Sequence, residues 1–150
     1  MLQAPEYRSP VADDHPGLCR LWASCAGLGG TLSEAGFASF VAVSGGYSTI
    51  ALDGDQPIGS LLASFDGVRG AFSRLAVDPA WRGRGIAQSM FDRCARALFA
   101  AGAEHLYFLI YGDNESGKRF WHAAGFHGVD NVEFWVMGRE TVAQRKAAIG

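Results

Sequence analysis

A strand, a helix and a second strand follow one another between Phe72 and Tyr111, and this order constrains the fold more than any other feature of the chain. In the helical part, apolar residues recur at spacings of four, four, three and four, and polar residues occupy the other side. The apolar positions are Ile86, Met90, Cys94, Ala97 and Ala101. The pattern predicts two parallel strands joined by a right-handed crossover helix that Gly102 ends.

The residues before this unit predict an antiparallel meander. Three apolar runs, 47–52, 58–65 and 70–77, are separated by the turn sequences Asp53-Gly54-Asp55-Gln56-Pro57 and Asp66-Gly67. Because a parallel crossover follows antiparallel strands, the expected fold class is α/β with a mixed central sheet. Additional strands are expected at 7–11 and 132–137, and additional helices at about 16–25, 31–43 and 114–124.

Composition excludes several classes of protein. The 150 residues are 49% hydrophobic and 19% charged, which is too apolar for a disordered chain, and charge or glycine interrupts every apolar run well short of membrane-spanning length. No linker separates two cores, so a single domain over residues 1–150 is expected. The net charge of −2 supplies no electrostatic footprint for nucleic acid. We therefore expect neither a nucleic acid nor a membrane as a partner.

The cysteines and the first residues indicate a compartment. Three cysteines, without CxxC spacing, are more typical of buried thiols than of a disulfide framework. The residues Met1-Leu2-Gln3-Ala4-Pro5-Glu6 lack the basic and apolar regions of a signal peptide. A cytoplasmic location is expected.

The turn between the third meander strand and the crossover helix carries the clearest chemical signal. A helix start exposes unpaired backbone N–H groups and the positive end of the helix dipole. In the run Leu75-Ala76-Val77-Asp78-Pro79-Ala80-Trp81-Arg82-Gly83-Arg84-Gly85-Ile86-Ala87, two glycines let the backbone approach a ligand, and two arginines add positive charge. The sequence predicts an anion site here, and the alternative is a solvated basic turn.

Two other phosphate-binding motifs fit poorly. A P-loop needs Gly-Lys followed by Ser or Thr, which the sequence lacks. The dinucleotide fingerprint GxGxxG fails at its last glycine, where Gln88 stands. A dinucleotide-binding domain remains an alternative interpretation, and protection of the protein by NAD would indicate it.

The turn and a later helix resemble the GNAT (Gcn5-related) N-acetyltransferases. That family's acetyl-CoA signature, Gln/Arg-x-x-Gly-x-Gly/Ala, is matched by Arg82, Gly85 and Ala87, and its preceding strand by Leu75, Val77 and Pro79. A second pattern is matched in part by Asn114, Gly117, Phe120, Trp121, Gly125 and Phe126. The run Phe65-Asp66-Gly67-Val68-Arg69-Gly70 is similar to one in small bacterial YpeA-like members, although Val68 departs from it.

The resemblance implies a three-layer fold whose mixed sheet of six to seven strands is flanked by about four helices. It also implies that acetyl-CoA is a cosubstrate, with its pyrophosphate on the backbone of 82–87 and its pantetheine arm beside Val77 in a gap between two strands. The cosubstrate-binding residues it implies are Leu75, Ala76, Val77, Arg82, Gly83, Arg84, Gly85, Ile86, Ala87, Asn114 and Trp121.

The catalytic residues stay open at this point. Trp121 stands where the family has a tyrosine thought to protonate the departing thiolate, and an indole N–H is not a usable acid. We interpret Trp121 as a wall of the cleft or as core. The strand before Leu75 carries no carboxylate general base. Candidates for an acid or base are Tyr111, Ser116, Asp66 and Glu133.

Two candidate functions of different classes, an enzyme and a binding module, agree with these residues. The first is acetyl transfer from acetyl-CoA to a primary amine of a small molecule or a protein, directly within a ternary complex. The second is a CoA-binding module without significant turnover. The resemblance implies an acceptor groove built from residues 21–31 and 128–133. The spacing of the histidines is not that of metal ligands, so no metal site is expected. The chain is expected to be a monomer or a homodimer.

Overall fold

The structure is a computed structural model that describes residues 3–28 and 30–149. Five strands form one sheet in the order β1-β2-β3-β4-β5. They span Glu6–Arg8 (β1), Thr49–Asp53 (β2), Gln56–Phe65 (β3), Arg69–Val77 (β4) and His105–Phe108 (β5). The α-helices span His15–Ala23 (α1), Glu34–Ser44 (α2), Ile86–Ala101 (α3), Glu115–Ala123 (α4) and Arg139–Ile149 (α5).

The meander and the crossover are confirmed. Strands β1 to β4 pair antiparallel in chain order, and β5 pairs with β4 in parallel. The Asp53-Gly54 turn joins β2 to β3, and Asp66-Gly67 joins β3 to β4. The sheet is therefore mixed, as the turn chemistry and the helix between β4 and β5 predict.

The predicted number of strands is wrong. The sheet has five strands and not six to seven, because residues 132–137 form no strand. The side chains of Val132, Phe134, Trp135 and Val136 in this segment are 67% to 83% exposed. A β-branched and aromatic run favours a strand only where it can pack on a pleated, half-buried surface, and here it has no neighbouring strand.

Two other strands end three residues earlier than predicted. The last paired strand ends at Phe108 and not at Tyr111, and the first is Glu6–Arg8 and not 7–11. Helix α5 is additional to the helices that the apolar pattern predicts, which raises the number of α-helices from about four to five. Its sequence carries no apolar stripe, so periodicity could not find it.

Both faces of the sheet are covered. Helices α3 and α4 pack on one face around Ile58, Leu61 and Phe72, and we call this cluster the α3-side core. Helices α1 and α2 pack on the other face around Leu62 and Ala76, and we call that cluster the α1-side core. Since side chains alternate along a strand, β3 contributes to both cores. Within the described ranges, no helix has the length and apolar character needed to cross a membrane.

Candidate functional site

A gap opens in the sheet where the β4–β5 ladder ends. The last paired residues are Phe72 on β4 and Phe108 on β5. Strand β4 continues to Val77 while the chain after Phe108 leaves the sheet. In the part of the chain that the structure describes, no strand lies on the β5 side of residues 73–77. The backbone groups of β4 that point to that side face this gap.

A β-bulge shapes this part of β4. Leu62 pairs with Ser73 and Ser60 pairs with Ala76, so two β4 residues, Arg74 and Leu75, stand opposite a single β3 residue. Arg74 has a φ of 53°, a left-handed conformation that costs a residue with a side chain roughly 1–2 kcal/mol. Such bulges bend a strand and are over-represented beside active sites.

A buried serine holds the bulge in place. The Ser60 hydroxyl, which is fully buried, donates to the Arg74 carbonyl oxygen at 2.7 Å. The Ser60 hydroxyl oxygen in turn accepts the indole N–H of Trp22 at 2.9 Å. Helix α1 is thus connected to the bend of β4 through one hydroxyl. This role of Ser60 was not predicted, although a serine within the apolar run 58–63 was a visible signal.

The bulge and the ladder set the direction of the Val77 backbone. The N–H of Asp78 donates to the Ile58 carbonyl, so the pair Asp78–Ile58 is a hydrogen-bonded pair. Pairs alternate in an antiparallel ladder, and the next pair, Val77–Gly59, is a non-hydrogen-bonded one. Both Val77 backbone groups therefore point away from β3 and into the gap.

The turn after β4 is held rigidly. The Asp78 carboxylate accepts the N–H of Ala80 at 2.9 Å, and Trp81 is buried in the α3-side core. The guanidinium of Arg84 lies 4.9 Å from the centre of the Trp81 ring. The Arg82 Nε donates to the Val77 carbonyl oxygen at 3.1 Å. Both arginines therefore place their charge against this turn.

The two glycines of the turn provide the space for a ligand. Gly83 and Gly85 both have a φ of 77°, and a Cβ added at either would meet no atom within 4 Å. Helix α3 begins at Ile86, which is buried, and the N–H groups of its first turn have no carbonyl partner within the helix. Open backbone, a helix N-terminus and two cations fit an anionic group such as a pyrophosphate.

Trp121 lies in the α3-side core, within an aromatic cluster. It is 5% exposed and stacks on Phe108 with a centroid distance of 4.3 Å. Phe72, Phe91, Phe120 and Phe126 surround it at 5.2 to 5.9 Å. Trp121 thus packs beneath the last paired residues of β4 and β5. Its burial agrees with the core interpretation, and its role as a wall of the cleft stays a prediction.

Asn114 has a capping role in the structure. Its side-chain oxygen accepts the N–H of Gly117 at 3.0 Å at the start of α4. Its side-chain nitrogen lies 3.1 Å from the position of a Cβ on Gly27, so α4 approaches the segment between α1 and α2. Ser116 is exposed in the first turn of the same helix, and its hydroxyl lies 3.4 Å from the Asn114 side-chain oxygen.

The other acid and base candidates are spread over the surface. Tyr111 is 56% exposed in the loop that leaves β5. Glu133 is exposed and accepts the Trp135 indole N–H at 2.8 Å. Asp66 accepts the N–H groups of Val68 and Arg69 in the β3–β4 turn, at the end of β4 opposite Val77. These backbone hydrogen bonds hold the pKa of Asp66 below its usual value.

One further side chain reaches the gap. The Cys25 thiol, just after α1, lies 3.6 Å from the Val77 carbonyl oxygen and 3.8 Å from a guanidinium nitrogen of Arg82. No sequence pattern predicts this contact, because it depends on how α1 packs on β4. In the described residues, no three His, Cys, Asp or Glu side chains come close enough together to hold a metal ion.

Comparison with known proteins places this geometry in a family. The model of the acetyltransferase (GNAT) family matches residues 16–126. An acetyltransferase of Sodalis glossinidius is 39% identical over 77 residues, which are 51% of this chain and 54% of that protein. The chain therefore spans about half the length of this curated relative.

Solved structures share the fold at low identity. The PaiA N-acetyltransferase of Thermoplasma acidophilum, in complex with coenzyme A, has a TM-score of 0.75 at 15% identity, over 87% of this chain and 94% of that one. The aminoglycoside N-acetyltransferase AAC(6')-Iy in complex with CoA has a TM-score of 0.68 at 17% identity, over 91% and 98%. Since the family model covers most of the residues and the fold agrees, this chain belongs to the acetyltransferase (GNAT) family.

Proposed function

We propose that this chain is an acetyl-CoA-dependent N-acetyltransferase that moves an acetyl group to a primary amine of a small molecule or a protein. The observation that carries the proposal is one continuous path. The open β5 side of β4 at Val77 leads to the glycine turn at Gly83 and Gly85 and then to the start of α3. Relatives named acetyltransferases and neighbours solved with CoA support the same cosubstrate.

The residues that would hold the cosubstrate follow from that path. Backbone N–H groups from Arg82 to Ala87, with the charges of Arg82 and Arg84, would bind the pyrophosphate. The outward-facing edge of β4 from Leu75 to Val77 would bind the pantetheine arm as an added strand does. Trp121 and its aromatic neighbours would exclude water beneath that arm.

When bound, acetyl-CoA supplies an activated acetyl group as a thioester. In the proposed reaction the amine nitrogen bonds to the acetyl carbon, the carbon–sulfur bond breaks, and the proton lost by the amine is taken up by the thiolate or by solvent. The Val77 N–H, which points into the gap, is the donor that we assign to the acetyl carbonyl oxygen. Tyr111 and Ser116, beside the N-terminus of α4, are our candidates for moving the proton. Asp66 and Glu133 have no described contact with the gap.

The alternative is a CoA-binding module without significant turnover. Two observations favour it. Trp121 has no hydroxyl to give a proton to the thiolate, and the Arg82 side chain already occupies the Val77 carbonyl oxygen.

The test is an incubation with acetyl-CoA and a panel of primary amines. Free thiol is followed in solution and acetylated product by mass spectrometry. Thiol release that depends on an amine, with matching product, supports the enzyme. CoA binding without thiol release for any amine supports the module.

The remaining features of the proposal concern the whole protein. We propose one domain over 1–150 and a monomer or homodimer. Cys19, Cys25 and Cys94 are free thiols, which supports a reducing cytoplasm. The net charge of −2 supports an amine acceptor that is not a nucleic acid.

A further inference from the structure

Arg74, the residue at the bulge, is a half-buried cation without a carboxylate beside it. Its guanidinium lies 4.7 Å from the centre of the Trp22 ring, and one of its nitrogens donates to the Gly30 carbonyl oxygen. The ion pairs found in residues 3–28 and 30–149 are Arg8–Asp14, Arg69–Asp66 and Lys118–Glu115, and none involves Arg74. A guanidinium has five N–H donors, so most of the binding capacity of Arg74 is unused.

The backbone at this position makes an arginine unexpected. Its φ of 53° favours glycine, and any side chain here costs stability. Strained residues of this kind cluster at functional sites, where the surrounding structure holds them in place. Arg74 is held in this way by the Ser60 hydroxyl on its carbonyl oxygen and by Trp22 beneath its side chain.

The position of Arg74 relative to the gap indicates which ligand it would meet. Leu75 and Val77 pack with the α3-side core, whereas Arg74 lies against Trp22 of the α1-side core. The proposed pyrophosphate turn belongs to the α3 side. An acceptor that reaches the same gap must approach from the other side, along α1 and the segment 24–33.

The segment that leads to Arg74 carries no negative charge. The segment 24–33 contains no Asp or Glu. Arg74 donates a hydrogen bond to the Gly30 carbonyl oxygen of this segment. An acceptor with several amines, such as a polyamine, would bring like charge to this cation, whereas an acceptor with an anionic group would be attracted.

We propose that the acceptor is a primary amine that also carries a carboxylate, and that Arg74 binds this carboxylate and so determines specificity. The inference rests on the proposed function and names the class of its acceptor. Two parallel N–H···O bonds from one guanidinium fix both the position and the orientation of a carboxylate. The amine of the same molecule would thereby be directed toward the gap.

The test compares acceptors that differ only in this charge. α-Amino acids and short peptides with a free C-terminal carboxylate are each paired with their carboxamides, and spermidine represents polyamines. We expect the carboxylate member of a preferred pair to have a kcat/KM about ten- to a hundredfold higher than its amide. The free amino acids and the peptides distinguish the two sources of such a carboxylate.

Variants assign the preference to Arg74. Arg74→Gln should lower kcat/KM for the carboxylate acceptor about ten- to a hundredfold and change that for the amide less than threefold. Arg74→Gly removes the guanidinium and also relieves the left-handed backbone, so it should remain folded while losing the same preference. Arg96→Gln, on the exposed side of α3, makes the same change in charge and should leave the preference intact.

The outcomes separate this inference from the proposed function. Equal use of carboxylates and amides, preference for spermidine, or equal losses for both pair members in Arg74→Gln would overturn the role of Arg74 while acetyl transfer stands. Failure of every amine tested to cause thiol release would contradict the proposed function. In that event, calorimetry on the CoA-loaded protein measures the affinities for the N-acetyl derivatives of the carboxylate and amide members. If Arg74→Gln leaves these affinities unchanged, the inference is overturned as well.

Discussion

The hydroxyl of Ser60 lies 2.7 Å from the carbonyl oxygen of Arg74, and this contact connects the α1-side core to the bend in β4. Ser60 stands on the central strand of the sheet and is fully buried. Since it also accepts the Trp22 indole N–H, it determines how β4 turns its last residues toward the gap.

Replacing Ser60 with alanine should damage the site more than the fold. The change leaves a buried carbonyl and a buried indole N–H without this partner, which costs about 1–3 kcal/mol of stability. The bulge loses its fixed geometry, so CoA affinity should fall about tenfold or more in calorimetry.

Ser48→Ala is the matched control, because Ser48 is also buried in the sheet region and bonds to the Ser44 and Ala63 backbone. It should lose similar stability and keep its CoA affinity. Equal CoA affinity in both variants would contradict the role of Ser60.

Gly85→Ala should weaken CoA binding beyond its effect on stability. The left-handed φ of 77° makes any side chain there cost roughly 1–2 kcal/mol. The methyl group would also occupy the space through which the ligand must approach the backbone N–H groups of the turn. Gly102→Ala is the control. Gly102 lies at the other end of α3, with a φ of 106°, a ψ like that of Gly85 and no neighbouring atom within 4 Å. We expect comparable losses of Tm in the two variants and a large loss of CoA affinity in Gly85→Ala alone. Comparable CoA affinities would place the pyrophosphate elsewhere.

Trp121 should contribute packing and not a proton. Trp121→Phe keeps an aromatic wall on Phe108, so kcat should fall by about tenfold at most. Trp121→Ala should lower Tm strongly, because it opens a cavity among five phenylalanines. Trp121→Tyr adds the hydroxyl that the family usually has and should raise kcat if that hydroxyl reaches the sulfur. A thousandfold loss of kcat in a well-folded Trp121→Phe protein would show a direct chemical role for the indole.

Stability should fall at alkaline pH because of Cys94. Burial raises the pKa of this thiol to about 11, although hydrogen bonding with Thr49 opposes the shift. An unfolded cysteine titrates near pH 8.5, so the unfolded state loses its proton first. The stability contribution is complete below about pH 8.5 and declines as the pH rises toward 11, by roughly 3 kcal/mol in all.

The Cys94 effect is isolated by comparison with Cys94→Ala, which lacks the buried thiol and keeps Cys19 and Cys25. Urea unfolding at pH 8 and pH 10.5 should show a smaller decline in the variant. The same decline in both proteins would assign the alkaline effect to other groups.

The parts of the fold that depend on local patterns could be predicted from the sequence. The spacing of Ile86, Met90 and Cys94 predicted α3, and the Asp-Gly turns predicted the antiparallel meander. Residues 132–137 could not be placed in this way, because their pattern fits a strand only if another strand lies beside them. The predicted end of β5 was wrong for the same reason, because the pairing of β5 with β4 stops where β4 bends.

The site could be predicted in part. Gly83 and Gly85 predicted a ligand-accessible helix start because their freedom of φ is a property of the residue itself. The contacts of Ser60, Cys25 and Arg74 join positions that lie 14 to 57 residues from their partners in the chain. Such contacts depend on how α1 packs against β4, and no local spacing encodes them.

The most direct test of the proposed CoA site is a titration of the backbone-assigned, 15N-labelled protein with CoA, followed by amide NMR shifts. We predict that the largest shifts and the greatest protection from hydrogen exchange fall on Val77 and on residues 84–88, while amides of β1 and β2 remain nearly unchanged. A saturable shift confined to amides outside β4, the glycine turn and the first turn of α3, or no shift at millimolar CoA, would contradict the account.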